Sequence, residues 1–256
     1  MRQVPRWGLA IGEPGRCAKR EDTSPTGARE YCQESRVEIV GPSGKTFDAD
    51  AVRHAYEQLA DGYAGRFGDD LERNDLDSMV LDRAVDLLER SALVVDLGCG
   101  PGQVASYLMR RGYQAVGVDL TPAMLDVARQ LMPHPALVNG NVLQLPLRDS
   151  GVDGAIAWFS LHHLPRSLLG QALGEVRRVL RRDGVFVMVT HAGTGKEFVE
   201  HDWHSRTEQV VITYYESDEL RSAFGRHGLK VVDVRSRAPL DHEHSVTKVF
   251  VTAIAE

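Results

Sequence analysis

The sequence predicts an α/β fold: a doubly wound sheet, mostly parallel, preceded by a helical cap and ending in an antiparallel hairpin. Three observations predict it. After Ser91, short and nearly continuous apolar runs alternate with segments of helical period, as strands buried on both faces and their crossover helices should. The first run passes through a glycine-rich turn straight into a helix. The last two runs are joined by a polar stretch containing Pro239, which fits a hairpin better than another crossover.

Residues 1–47 are rich in Gly, Pro, Ser, Thr and charge and have no sustained apolar period, so a largely disordered extension is expected. Within it only Arg36–Val40 alternates like a strand. From Asp50 onward Val52, Tyr56, Leu59, Ala60 and Tyr63 fall at helical spacing, and Gly62 and Gly65 predict a stop or a kink. A second helix is expected over about residues 76–90. Five buried strands follow, at 93–97, 114–119, 136–138, 154–158 and 185–190. Thr121-Pro122 opens one crossover helix, its hydroxyl expected to cap free amides. The next crossover carries Leu168, Leu169, Leu173, Val176, Val179 and Leu180 on one face and is expected to stop at Asp183-Gly184. Ser217 is expected to cap a helix that ends at His227-Gly228, ahead of the final strands 229–234 and 246–253.

The composition narrows the function classes. With 43% apolar residues, 26% charged residues and a formal charge of −6, the chain reads as a soluble globular protein without a polybasic grip for nucleic acid. Cys17, Cys32 and Cys99 are odd in number and lack CxxC spacing, which argues against a disulfide framework or zinc knuckle and for a reducing cytoplasm. No apolar run approaches the roughly 18 residues of a membrane span, so neither insertion nor export is expected.

The segment that carries chemistry is Val94-Val-Asp-Leu-Gly-Cys-Gly-Pro-Gly-Gln-Val-Ala-Ser-Tyr-Leu108. Gly98, Gly100 and Gly102 permit positive φ and a close approach of backbone amides to a ligand, and the helix that follows aims its free N–H groups at the same place. Asp96 lies just before the turn. Asp119 ends the second strand, where a carboxylate can accept both hydroxyls of a ribose. A nucleoside site follows.

These residues resemble the class I S-adenosylmethionine-dependent methyltransferases, in particular the group acting on small molecules, from about Tyr56 to Thr190. Asp96-x-Gly98-x-Gly100-x-Gly102 matches the first motif of that Rossmann-like family, Val118-Asp119 its ribose-binding acid, and Gly140–Leu147 the loop that reads adenine. Asp153–Leu164 is similar to its fourth strand and the loop at the mouth of the site, and Tyr56-x-x-Leu59-Ala60-x-x-Tyr63-x-x-x-Phe67 to the helix that closes over the cofactor. The resemblance implies a cofactor site built from Tyr56, Tyr63, Asp96, Gly98, Cys99, Gly100, Gly102, Asp119, Leu120, Met124, Asn141, Val142 and Phe159, with Cys99 as a small filler. Asp96 is expected to hold the ammonium of the methionine portion. Asn141 stands where the family usually has an aspartate that accepts the adenine amino group. Its carbonyl still accepts, so rearranged or weaker adenine binding is expected.

Methyl transfer from a sulfonium needs alignment above all, and a base where the acceptor carries a proton. His162, His163 and His191, near the C-terminal ends of the fourth and fifth strands, are the candidate bases. Residues 192–216, with His201, Asp202, Trp203, His204, Tyr214 and Tyr215, leave the simple alternation and read as an acceptor-site insertion. His201, His204, His242, Glu243 and His244 have no metal-ligand spacing, so no metal is expected. The sequence therefore points to a methyltransferase for a metabolite or natural-product acceptor, oxygen being the preferred atom, acting as a monomer or homodimer. The alternatives are a nicotinamide-dependent oxidoreductase on the same cradle, disfavoured by the GxGxG rather than GxGxxG spacing, and a non-catalytic cofactor-binding partner subunit.

Overall fold

The computed structural model describes residues 49–256 apart from 69, 134, 204–205, 241–242 and 244–245, with side chains left aside at 61, 70, 72, 196–203 and 206–209. The expectations for residues 1–47, including the strand at Arg36–Val40, lie outside the described residues. Three helices come first, α1 (Ala49–Phe67), α2 (Asp70–Arg73) and α3 (Asp75–Val85). The alternating core follows as β1 (Leu93–Leu97), α4 (Gln103–Arg110), β2 (Gln114–Asp119), α5 (Pro122–Leu131), β3 (Ala136–Asn139), β4 (Val152–Trp158), α6 (Arg166–Val179) and β5 (Leu180–His191). The chain ends with β6 (Lys196–Trp203), β7 (Arg206–Thr213), α7 (Ser217–Arg226), β8 (Leu229–Arg237) and β9 (Lys248–Ala255).

Seven strands form one sheet in the order β3-β2-β1-β4-β5-β9-β8, and β6 pairs with β7 in a separate two-stranded sheet. The first five strands of that order are parallel, and β9 runs antiparallel to both β5 and β8. The expected C-terminal hairpin is therefore present. Side chains alternate between two apolar layers, as the period of a strand requires. Val95, Ala155, Ala157, Phe186 and Met188 face α6 and α7, whereas Val94, Ile156, Val185, Val187 and Val189 face α3 and α4. Both faces are covered, which is why the strand sequences read as continuous apolar runs. No helix among the described residues is long and apolar enough to cross a membrane.

Several boundaries differ from the sequence expectation. Helix α1 continues through Gly62 and Gly65 to Phe67, its last turns held by ring contacts between Tyr56 and Tyr63 and between Tyr63 and Phe67. The second helix stops at Val85 rather than near residue 90. Helix α6 ends at Val179, so Asp183 and Gly184 belong to β5, in which Arg181, Arg182 and Asp183 are exposed. Thr121 makes no side-chain cap on α5; its hydroxyl bonds Asp119 instead. Ser217 is the first helical residue of α7 and Glu216 the capping position, again without a side-chain bond.

Candidate functional site

The loops after β1, β2, β3 and β4 meet at the C-terminal edge of the sheet, and α1 lies over them, packed against α5 and β7. Between them is a cavity that opens to solvent. Its walls are built from the backbone outward. The amides of Gly98 and Cys99 both donate to the Val118 carbonyl, at 2.7 and 3.0 Å, which folds the first loop against the end of β2. Gly98, Gly100 and Gly102 have φ of 69, 51 and 85°, so the turn needs the left-handed region three times in five residues. They are not equivalent. A Cβ at Gly98 would lie 2.4 Å from Cβ of Ser160 and one at Gly102 2.2 Å from Sδ of Met132, whereas one at Gly100 would meet nothing nearer than 3.9 Å. Gly100 therefore presents bare backbone to the cavity.

Asp119 is held by two backbone donors: Gly100 N–H reaches Oδ2 and Thr121 N–H reaches Oδ1, each at 2.8 Å. The Thr121 hydroxyl takes a further position, and the carboxylate still has accepting capacity left for a ligand. Burial pushes its carboxyl up from the usual range, against the pull of those amide bonds. The third loop is fixed to the same point, since Asn139 Nδ2 donates to the carbonyls of Asp119 and Leu120. Asn141 then turns the chain, its Oδ1 accepting Leu143 N–H at 2.9 Å. Helix α6 clamps the rest of this loop: Gln171 donates to the Leu143 carbonyl, Arg178 to those of Leu145 and Leu147, and Glu175 accepts Leu145 N–H.

The fourth loop begins at Phe159, a non-glycine residue at φ 54°. Its ring lies 5.0 Å from that of His191 and 5.9 Å from that of His162. Beside it His163 is oriented from both sides. Its Nδ1 is 2.9 Å from the Val211 carbonyl, which can only accept, so the proton sits on Nδ1. In the neutral ring Nε2 is then the acceptor, and the Tyr56 hydroxyl at 2.8 Å and Nε2 of His162 at 3.1 Å converge on it. Burial holds the Tyr56 phenol well above its ordinary value.

Of the residues expected to bind the cofactor, Tyr56, Tyr63, Gly98, Gly100, Asp119, Leu120, Met124, Asn141, Val142 and Phe159 line the cavity, together with His163 from the expected bases. His162 and His191 stand behind this wall, their rings stacked 5.5 Å apart. Asp96, Cys99 and Gly102 also lie outside the lining. Asp96 is 1% exposed and its Oδ2 accepts Ala105 N–H at the start of α4, burial pushing its carboxyl up to about 7. Cys99 fills space: its Sγ would lie 2.7 Å from a Cβ on Gly117. Tyr215, from the expected insertion, is fully buried with its hydroxyl on the Leu164 carbonyl, and so belongs to the core.

The cavity also uses residues that sequence reasoning passes over, among them Val52, Gln103, Thr121, Trp158 and Ser160. Val52 lies four residues before Tyr56 and hence on the same helix face, a signal present in the sequence. Gln103 carries no such signal. Its Oε1 is buried without a hydrogen-bond partner, and a Cβ on Gly100 would sit 4.0 Å from it. An unmet acceptor beside bare glycine backbone, 119 and 141 on the other side, and the two tyrosines of α1 above fit a nucleoside with a cationic amino-acid tail.

Comparison with known proteins agrees with this geometry. Residues 95–188 match the family described as methyltransferase domain. An uncharacterized methyltransferase of Mycobacterium tuberculosis (strain ATCC 25618 / H37Rv) is 32% identical over 140 residues, 55% of this chain and 49% of that protein. A malonyl-[acyl-carrier protein] O-methyltransferase of Serratia marcescens is 33% identical over 146 residues, 56% of each. The chain thus spans about half the length of the curated relatives it matches. Among solved structures, the Burkholderia thailandensis 1,6-didemethyltoxoflavin-N1-methyltransferase, with 1,6-didemethyltoxoflavin and S-adenosylhomocysteine bound, superposes with a TM-score of 0.63 at 20% identity, covering 88% of this chain and 98% of that one. The methyltransferase in a complex with the Haloferax volcanii activator Trm112 gives 0.62 at 22% identity, covering 80% and 97%. From the glycine turn through β4 to β5, residues 95–188 thus match the methyltransferase domain family, on a fold shared with solved S-adenosylmethionine-dependent methyltransferases.

Proposed function

We propose that the protein transfers a methyl group from S-adenosylmethionine to a small-molecule acceptor. The observation that carries this reading is the Asp119 carboxylate, fixed by the amides of Gly100 and Thr121 at a cavity that runs from the glycine turn to Asn141. The bound sulfonium supplies an electrophilic methyl. Asp119 holds the ribose hydroxyls, Gln103 and the Gly100 backbone receive the amino-acid tail, and Gly140–Val142 take the base. Tyr56, Tyr63 and Val52 exclude water from above, which supports alignment as the main catalytic contribution.

In this reading the acceptor enters where His163 and Phe159 border the cavity. The acceptor gives its proton to the Tyr56 oxygen as the Tyr56 hydroxyl passes its own to Nε2 of His163. That favours a proton-bearing atom, and oxygen first. Isothermal calorimetry tests the cofactor half: S-adenosylhomocysteine should bind saturably and NAD should not, and the reverse would remove the proposal. Mass spectrometry of candidate metabolites incubated with methyl-labelled cofactor tests turnover; binding with no methyl gain on any acceptor would favour a partner subunit.

A further inference from the structure

We infer that Asn141 reads the nucleobase as a donor, through Nδ2, so that the site recognises an acceptor atom on the purine edge and tolerates a 6-oxo purine. The inference rests on the proposed cofactor site. Its position follows from topology. In the strand order β3-β2-β1-β4, Asp119 lies between Asn141 on one side and the glycine turn on the other. A ligand with its ribose on Asp119 and its tail on the glycine turn must therefore put its base against Gly140–Val142, which line that end of the cavity.

The polarity follows from the Asx turn. Leu143 N–H can only donate, and it approaches the side chain of Asn141 at 2.9 Å, so the oxygen of the amide must face it. Gln144 N–H binds the backbone carbonyl of Asn141 at 3.0 Å, which ties the turn a second time. The turn is further held from α6 through Gln171 on the Leu143 carbonyl, so a rotation of the amide would break an arrangement fixed on both sides. Nδ2 takes no part in the turn and is the donor that the side chain can turn to a ligand. An aspartate in the same turn would keep the Leu143 bond with one oxygen and offer the other as an acceptor.

The two side chains select opposite edges. A carboxylate pairs with the 6-amino group of adenine and repels a 6-oxo group. An amide nitrogen pairs with N1 of adenine or with the 6-oxygen of hypoxanthine and gains nothing from the 6-amino group.

The test is a calorimetric comparison of S-adenosylhomocysteine with S-inosylhomocysteine on the natural chain and on Asn141→Asp, with thermal unfolding to verify that both are folded. The natural chain should bind the two ligands within about tenfold of each other, and Asn141→Asp should shift that ratio at least about tenfold toward adenine. An unshifted ratio would overturn the inference and mean that the second lone pair of Oδ1 reads the amino group. A measurement without any variant bears on the same point: the 1-deaza analogue of S-adenosylhomocysteine, which lacks the N1 acceptor, should bind the natural chain more weakly, and equal binding would also overturn it. Failure of S-adenosylhomocysteine itself to bind the natural chain would instead remove the proposed function, and this inference with it.

Discussion

Two groups of buried carboxylates stand on opposite flanks of the sheet and behave in opposite ways. At the parallel edge, Asp96 and Asp119 are buried with backbone amides as partners, and burial raises both above the usual range. At the hairpin, Asp77 of α3 and Glu243 are clasped by Arg237 and Lys248: Arg237 binds both oxygens of Asp77 at 2.6 and 2.9 Å, and Lys248 is 3.0 Å from Asp77 and 2.5 Å from Glu243. There burial would push the Glu243 carboxyl up, but the bonds from Arg237 and Lys248 more than reverse it and hold it well below the carboxylate range. The difference teaches what each site is for. Full pairing with cations makes a lock between distant segments, while carboxylates met by amides and a hydroxyl keep a charge that a cationic or hydroxyl-bearing ligand can satisfy.

A large effect is expected at the lock. Arg237→Met leaves Lys248 to hold both Asp77 and Glu243 and should cost up to about 3 kcal/mol in urea unfolding, with ligand affinity little changed in the folded fraction. The lock also sets an acid limit. Because the folded Glu243 carboxyl lies below its unfolded value, the stability it contributes is present above about pH 4.3 and is lost as pH falls below that, toward the folded value. Glu243→Gln should flatten that acid limb.

At the parallel edge the glycines separate packing from binding. Gly98→Ala forces a Cβ onto Ser160 in a left-handed backbone and should cost about 2–4 kcal/mol of stability. Gly100→Ala has room within the protein, so it should cost about 1–2 kcal/mol from its backbone alone while calorimetry shows S-adenosylhomocysteine affinity falling by at least about tenfold. Equal losses in both assays for both variants would erase the distinction. Asp119→Asn should raise the S-adenosylhomocysteine dissociation constant by about 10- to 100-fold, as expected for charge-assisted bonds.

The smallest expected effect concerns Asp96. Its folded pKa of about 7 exceeds the unfolded value, so its neutral form stabilises the fold at low pH and this contribution is lost as pH rises from about 4 through 7. Asp96→Asn, which keeps an oxygen for Ala105 N–H, should remove that slope and melt higher than the natural chain at pH 8 in a thermal scan. A lower melting temperature at pH 8 would mean that the ionised carboxylate is needed, as a partner for a tail ammonium would be.

Much of the parallel edge is legible in the amino-acid sequence because its signals are local. Strand runs, the spacing of Gly98, Gly100 and Gly102, Pro122 at a helix start and Asp119 at a strand end all act within a few residues, and the fold keeps them in place. Helix ends are less legible. Thr121 and Ser217 have the chemistry of caps, but the hydroxyl of Thr121 is taken by Asp119 two residues away and Ser217 falls inside its helix.

By itself the sequence determined the α/β alternation, the antiparallel ending and most of the residues around the cavity, since period and turn chemistry are properties of neighbouring residues. Only the tertiary structure decided which of the three histidines faces the cavity, that Asp96 serves the start of α4, and that Asn141 spends its oxygen on Leu143. It also decided that Asp77 meets Arg237 across 160 positions. The physical reason is common to all of them: a hydrogen bond's partner is set by which chain segments pack together in three dimensions, and periodicity along the chain carries no record of that.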